Sequence, residues 1–259
     1  MRLMKRILSA AAVLALSVSL LAGCGSTAAS PVSSAASTAA ESTTSSVVSE
    51  TTSAAADENA AAAAQLLNDL TGSYQELWPV ILADEYKQTW LDDCTALVGE
   101  DNAEAAFEKL SSMVTGDVYG EDAVKAYANG GGAYFCGFTN SLATLTFDGE
   151  TSTISGTDKD GNELFSHPYH YIGMEPVRGL YEFESDDADS GEFTYFFLAP
   201  DTSAETYHIE FRYGSDADAL SQYDAGDYAY WLASGISTDC DQTMIDNCIE
   251  LFCTENLAG

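Results

Sequence analysis

The sequence has 259 residues, with 9 basic and 41 acidic side chains and a formal net charge of −32. Binding to nucleic acid is not expected, because such proteins neutralise phosphates with lysine and arginine. An acidic surface can attract divalent cations or a basic partner, although solubility alone also accounts for this charge. The first 60 or so residues lack the composition of a core, so the remainder predicts a single domain of roughly 190 residues.

Residues 1–23 have the pattern of a bacterial export signal. Three basic side chains among the first six residues precede an apolar run that is too short for a typical membrane span. The residues that follow, LAGC at Leu21–Cys24, resemble the lipobox of bacterial lipoproteins. This resemblance implies cleavage before Cys24, a lipid on its sulfur, and an extracytoplasmic protein anchored to the cell membrane by its N-terminal lipid. A secretory signal with an accidental cysteine is the alternative.

Residues 24–64 predict a flexible stalk. After Cys24 they are almost wholly Ser, Thr, Ala and Val with scattered acids, a composition that buries little surface. The run Ala60–Leu67 can begin a helix, because alanine has the highest helix propensity. The exported domain is therefore predicted to span residues 65–259.

Helices are predicted in the first part of this domain. From Gln65 to Trp90 apolar side chains recur at steps of three and four residues, with breaks near Gly72 and Pro79. This pattern predicts short helical pieces. A further helix is predicted from Asp101 to Val114, ahead of a glycine that acts as a stop signal.

From residue 130 to residue 214 the pattern changes to strands separated by turn signals such as Asp148-Gly149. The runs rich in β-forming residues are AYFCGF, LATLTF, TSTISG, LFSHPYHYIG, GLYEFE, FTYFFLAP and TYHIEFRYG. Six or seven strands at this spacing predict an antiparallel sandwich or barrel. One or two helical turns after Gly214 and an amphipathic helix within Asp239–Leu257 complete the domain.

Five cysteines follow the one in the lipobox: Cys94, Cys136, Cys240, Cys248 and Cys253. None forms a C-x-x-C pair or adjoins a histidine, so the sequence does not indicate a zinc–thiolate cluster. Because an exported protein permits disulfides, we expect one or two, or reduced buried thiols in an organism that lives without oxygen.

Five stretches, in this order along the chain, carry a resemblance over about residues 66–255. They are LNDLTGSYQELWPVI, the strands TDKDGNELFSHPYHYIG, GLYEFE and FTYFFLAP, and the segment FRYGSDADALSQYDAGDYAYWLASGIS. Together they resemble the ZinT/YodA-like zinc-recruitment domain family. The resemblance implies a mainly β fold with flanking helices, a lipocalin-like antiparallel β-barrel, which binds zinc outside the cytoplasm and serves a metal-import system.

The family's metal site holds three histidines, one placed three residues before an Ala-Pro and an H-x-H pair placed shortly before a Gly-polar-Asp turn. In this sequence those positions hold Phe196, His208 and Glu210. One histidine remains, and its partner is a carboxylate. Residues two apart on a strand face the same side, so His208 and Glu210 can converge on zinc or another divalent metal.

Two protein ligands are too few for a closed zinc site. Weaker candidates for a further ligand are His170, His167, Asp201 or one of the loop acids. An undistorted strand directs His167 and His170 to opposite faces, but Pro168 between them can introduce a bulge or bend.

Other interpretations remain open. Strand TYHIEFRYG can simply be half exposed, with Ile209 and Phe211 facing the core and Glu210 paired with Arg212. Alternatively, the barrel has lost the metal site and binds a small apolar ligand or a partner protein, which Phe196 at a ligand position favours. An enzyme is not expected, because the sequence has no nucleophile motif and only three histidines.

Overall fold

The computed structural model describes residues 58–114, 116–200, 206 and 208–258. The predicted signal, Cys24 and residues 25–57 of the predicted stalk lie outside these residues. In the described ranges, no helix combines the length and apolar character that a membrane span requires.

Within the described residues, eight antiparallel strands close into a barrel, and each strand pairs with its neighbours in sequence. The strands are β1 (Gly72–Glu76), β2 (Thr144–Asp148), β3 (Thr153–Thr157), β4 (Glu163–Met174), β5 (Tyr181–Ser185), β6 (Tyr195–Leu198), β7 (His208–Gly214) and β8 (Ala233–Ser237). The barrel closes where β8 pairs with β1. The predicted antiparallel barrel with flanking helices is therefore confirmed.

Helices precede, interrupt and follow the strands. They are α1 (58–69), α2 (Leu77–Ile81), α3 (Lys87–Val98), α4 (Glu100–Met113), α5 (Glu121–Ala128), α6 (Ala217–Leu220) and α7 (Gln242–Leu257), with 3₁₀ turns at Asp84–Tyr86 and Gly191–Phe193. The predictions that correspond to α4, α6 and α7 are confirmed. Asp216 and Asp241 start α6 and α7, because each carboxylate accepts a hydrogen bond from a backbone N–H of the first turn.

The sequence-based prediction did not include α5 or β8, and two segments that it did include have a different structure. Gly72–Glu76 is a strand rather than a helical piece, because its backbone pairs with both β2 and β8 and closes the barrel. The run AYFCGF is not a regular strand, since Phe135 makes only an isolated bridge to Trp231. Tertiary pairing has overridden the local pattern in both places.

The barrel interior is filled by aromatic side chains. Phe196 is fully buried, and its ring centroid lies 5.4 Å from those of both Tyr169 and Tyr213. Gly156 makes room for this packing, since a Cβ there would lie 2.5 Å from Cε1 of Phe165. In the described residues, packed side chains thus occupy the barrel interior around Phe196, where the alternative places a small apolar ligand.

A second apolar cluster lies between the outer barrel wall and helices α2, α3, α4 and α7. Trp90 on α3 fixes the end of α2, because its indole N–H donates to the carbonyl of Ile81 at 2.7 Å. The five cysteines of the described residues are free thiols, with the Cys94 and Cys253 sulfurs 3.9 Å apart in this cluster. This agrees with the alternative of reduced buried thiols and differs from the expectation of disulfides.

Candidate metal centre

Strand β7 presents different side chains to its two faces. Ile209, Phe211 and Tyr213 belong to the core inside the barrel, so His208, Glu210 and Arg212 face outward. The predicted alternation is therefore confirmed. Helices and loops cover the outer face, however, so that His208 and Glu210 are only half-buried and Arg212 is fully buried.

His208 and Glu210 line one cavity of about 30 Å³, a volume that holds about one water molecule. The other side chains with donor atoms on its wall are Cys248 and Glu255, which both come from α7. The apolar part of the wall consists of Leu77, Trp78, Ile81, Leu251 and Phe252. The cavity, hereafter the metal pocket, is thus enclosed by α2 and α7 against β7.

The His208 ring is oriented by a neighbouring hydroxyl. Its Nδ1 lies 2.7 Å from Oγ1 of Thr206, which is itself buried. When Nδ1 carries the proton and donates to this oxygen, Nε2 holds the free electron pair that a metal ion requires. In this tautomer His208 can act as a ligand through Nε2, whereas a hydroxyl that donates to Nδ1 leaves the proton on Nε2.

The thiols near Glu210 are protonated at neutral pH. Burial, together with the Glu210 carboxylate, raises the pKa of both Cys136 and Cys248 to about 12. A metal ion that recruits Cys248 must therefore displace a proton, which makes such binding pH-dependent.

The weaker ligand candidates lie elsewhere. His167 contacts Asp187 (Nδ1 to Oδ2, 2.8 Å) and His170 contacts Asp186 (Nδ1 to Oδ1, 2.6 Å). Both histidines lie on β4, which β5 and β6 separate from β7 along the sheet. Strand pairing continues through Pro168, opposite Thr153, so the two rings keep opposite faces as an undistorted strand requires.

The remaining positions do not complete a ligand set. Asp201 lies outside the described residues. Phe196 pairs with Tyr213 and therefore faces the barrel interior, away from His208 and Glu210. Among the residues that the structure describes, no three His, Cys, Asp or Glu side chains are grouped closely enough to hold one metal ion.

Arg212 bonds to backbone carbonyls rather than to Glu210, the partner that the strand pattern suggested. Its guanidinium donates to the backbone carbonyls of Leu220 and Tyr228 and lies 4.4 Å from the ring centroid of Tyr223. Carbonyl oxygens and an aromatic face thus stabilise its charge, although its buried Nε has no hydrogen-bond partner among the described residues. Burial lowers its pKa from the ordinary value.

Sequence reasoning missed a second cavity beside the metal pocket. This outer cleft has a volume of about 200 Å³, and Trp78, Tyr134, Arg178, Glu210 and Phe252 are on its wall. These residues come from α2, the loop after α5, the β4–β5 loop, β7 and α7, and no local pattern links them. The sequence offered one indication of this cleft, the scarcity of arginine. Only Arg178 and Arg212 lie beyond the predicted export signal.

Comparison with known proteins gives few matches. No family model matches the sequence, and no curated protein matches it. Among solved structures, the Zn(II)-bound ZinT-like domain of Streptococcus pneumoniae AdcA is similar at 14% identity with a TM-score of 0.44, covering 70% of this chain and 87% of that one. Zn(II)-bound AdcA from Streptococcus pneumoniae is similar at 12% identity and a TM-score of 0.41, covering 71% of this chain and 34% of that one. This chain therefore spans about a third of the length of the second structure.

Proposed function

We propose that the protein is a non-enzymatic, extracytoplasmic domain that binds a divalent metal ion, zinc first among them, at His208 and Glu210. The observation that carries this proposal is the metal pocket: these two side chains, Cys248 and Glu255 line one cavity of about 30 Å³. Imidazole, carboxylate and thiolate are the donor types that zinc prefers. The cavity volume suits one ion or water molecule and no larger ligand.

The donor set fits zinc in type but only in part in arrangement. His208 supplies Nε2 and Glu210 a carboxylate oxygen, while a closed zinc site needs four donors. Cys248 and Glu255 lie on the same wall and can reach an ion only after side-chain movement, because no three donors are grouped in the described residues. A site with so few donors in place should bind the metal weakly and release it readily. This is what a protein that delivers the ion to a partner requires.

The cellular setting is also proposed. The LAGC sequence at Leu21–Cys24 supports a lipid on Cys24, and residues 24–64 then form a stalk that holds the domain, residues 65–259, away from the cell membrane. Helix α1 includes the last residues of this stalk, and the buried Ala63 packs with the barrel core. We propose a metal-import system in the same membrane as the partner that receives the ion.

Zinc titration of the chelator-treated, full-length protein in detergent tests the proposal. Calorimetry should give a saturable heat, and thermal unfolding should shift upward, because a ligand that binds only the native state raises its stability. His208→Ala should lower the affinity at least about tenfold, since it removes a nitrogen ligand. No heat and no thermal shift at about tenfold metal excess would contradict the proposal.

His170→Ala is the matched control for this titration. His170 lies on β4 rather than β7, and its imidazole is exposed and contacts Asp186. We expect zinc affinity to stay at the wild-type value. If His170→Ala weakens binding as much as His208→Ala does, the site is not in the metal pocket.

A further inference from the structure

The outer cleft contains an arginine that is held in place from several sides. Nη2 of Arg178 donates to the hydroxyl of Tyr134 at 3.1 Å, and the guanidinium lies 4.4 Å from the ring centroid of Tyr223. Arg212 lies over the same ring, also at 4.4 Å. The buried Glu175 accepts hydrogen bonds from the Arg178 backbone N–H at 2.7 Å and from the Tyr223 hydroxyl at 3.3 Å. Arg178 is thus preorganised for recognition of an anion.

Within the described residues, Arg178 makes no ion pair with a carboxylate. Lys87, Lys125 and Lys159 each pair with an acidic side chain, whereas none of the ion pairs in the described ranges includes Arg178. A guanidinium has five N–H donors, and the hydrogen bond to Tyr134 uses one of them. The half-buried side chain therefore keeps donors for an incoming carboxylate.

The remaining wall of the outer cleft defines the rest of the ligand. Glu210 supplies a negative charge, and Trp78, Phe252 and Leu232 supply apolar surface. The volume of about 200 Å³ equals that of about six or seven water molecules, so the ligand must be small. A molecule with one anionic, one cationic and one apolar part matches these three features.

We propose that the outer cleft binds a small apolar α-amino acid. Its carboxylate pairs with Arg178 and its ammonium group with Glu210. Its side chain packs against Trp78 and Phe252, whose rings are in edge-to-face contact with their centroids 4.7 Å apart. The formal charge of −32 repels simple anions, but it does not repel a zwitterion with no net charge. The proposal does not depend on metal binding, although Glu210 borders both cavities.

Calorimetric titration of chelator-treated, full-length protein with L-phenylalanine tests this proposal. We expect saturable binding at millimolar or lower concentration. Two analogues remove one charge each: 3-phenylpropionate lacks the ammonium group and phenethylamine lacks the carboxylate. Each should bind at least about tenfold more weakly, because a charge-assisted hydrogen bond contributes about this factor.

Variants locate the site. Arg178→Gln should weaken L-phenylalanine binding at least about tenfold, as expected for the loss of an ionic partner. Lys159→Gln makes the same change of charge at an exposed turn and should have no effect. The absence of binding at millimolar L-phenylalanine, an unchanged affinity in Arg178→Gln, or an equal affinity for either analogue would overturn the proposal. The two analogues are titrated into the wild-type protein, so this comparison still tests the proposal if Arg178→Gln does not fold.

Discussion

Glu210 is the residue at which the metal pocket and the outer cleft meet, since its side chain is on the wall of both. Its place follows from the two-residue period of β7, which turns it outward beside His208, and from α7, which covers that face. One carboxylate therefore serves two adjacent cavities with different chemistry. A change at Glu210 must affect both, whereas His208 and Arg178 each belong to one.

This arrangement predicts a specific pattern of losses. Glu210→Gln should weaken both zinc and L-phenylalanine by at least about tenfold, because the neutral amide keeps the shape but loses the charge. His208→Ala should weaken zinc alone and Arg178→Gln should weaken L-phenylalanine alone. Parallel calorimetric titrations of the three variants measure the pattern. Equal losses of both ligands in His208→Ala would show that the two cavities are not separate.

The buried thiols predict that stability falls in alkaline solution. The Cys248 thiol ionises near 9.0 when the chain is unfolded, and burial raises its folded pKa to about 12. A group with a raised pKa stabilises the fold fully below the unfolded value, and this contribution is lost as the pH rises toward the folded value. The free energy of unfolding should therefore fall as the pH rises from about 9 to about 12.

Urea unfolding of Cys248→Ala isolates this contribution. The slope of the unfolding free energy against pH should be smaller than in the wild type by up to about 1.4 kcal/mol per pH unit. Cys240→Ala is the control, because that thiol is less buried and its pKa is raised less. A slope in Cys248→Ala equal to that of the wild type would contradict the assignment of a buried, protonated thiol.

At the scale of elements, the strands with strong local signals were predictable and the ones that close the barrel were not. β2 to β7 have alternating β-forming residues bounded by turn signals, and all were found near their predicted places. β1 has only Tyr74 buried among its five residues, and β8 is buried at all five, so neither alternates clearly. Their strand character comes from pairing with each other, which is information beyond the local sequence.

The same limit applies to the site. Spacing alone put His208 and Glu210 on one face of a strand. Cys248 and Glu255 line the same cavity as these two residues because α7 packs on the barrel, and Arg178 lines a cavity with Glu210 because the β4–β5 loop does. No motif encodes these contacts, which are distant in sequence. Phe196 shows a further limit of spacing arguments. Its distance from Ala199-Pro200 matched a ligand position of the resembled family, but it did not reveal that the side chain faces the core.

Helix α1 and the β2–β3 turn provide a test of element packing. A Cβ on Gly149 would lie 2.4 Å from Cα of Asn68 and 2.6 Å from the carbonyl oxygen of Leu67, both in the α1 backbone. Gly149→Ala should lower the free energy of unfolding by about 1–3 kcal/mol, because backbone must move to admit the methyl group. Urea unfolding measures the change.

Gly173→Ala is the matched control for that substitution. Its added Cβ would meet nothing closer than 3.7 Å, at the carboxylate of Glu182. We expect the unfolding free energy to stay within about 0.5 kcal/mol of the wild type. A Gly149→Ala variant as stable as Gly173→Ala would mean that α1 does not pack on this turn.

At the scale of the whole molecule, charge is the dominant feature. The formal net charge of −32 on 259 residues predicts self-repulsion in the folded state. Screening shortens the range of this repulsion, so the melting temperature should rise between about 0.02 M and about 0.5 M sodium chloride. Thermal unfolding followed by circular dichroism measures the trend. A melting temperature that falls with added salt would mean that attractive ion pairs outweigh the repulsion.

The location of a bound ion tests the central proposal most directly. Crystals of the protein grown with zinc and measured at the zinc absorption edge should show an anomalous peak in the metal pocket. We expect the peak about 2.0–2.2 Å from Nε2 of His208 and from a carboxylate oxygen of Glu210. A peak only at the His170–Asp186 or His167–Asp187 pair, or no peak in zinc-saturated crystals, would contradict the proposed metal centre.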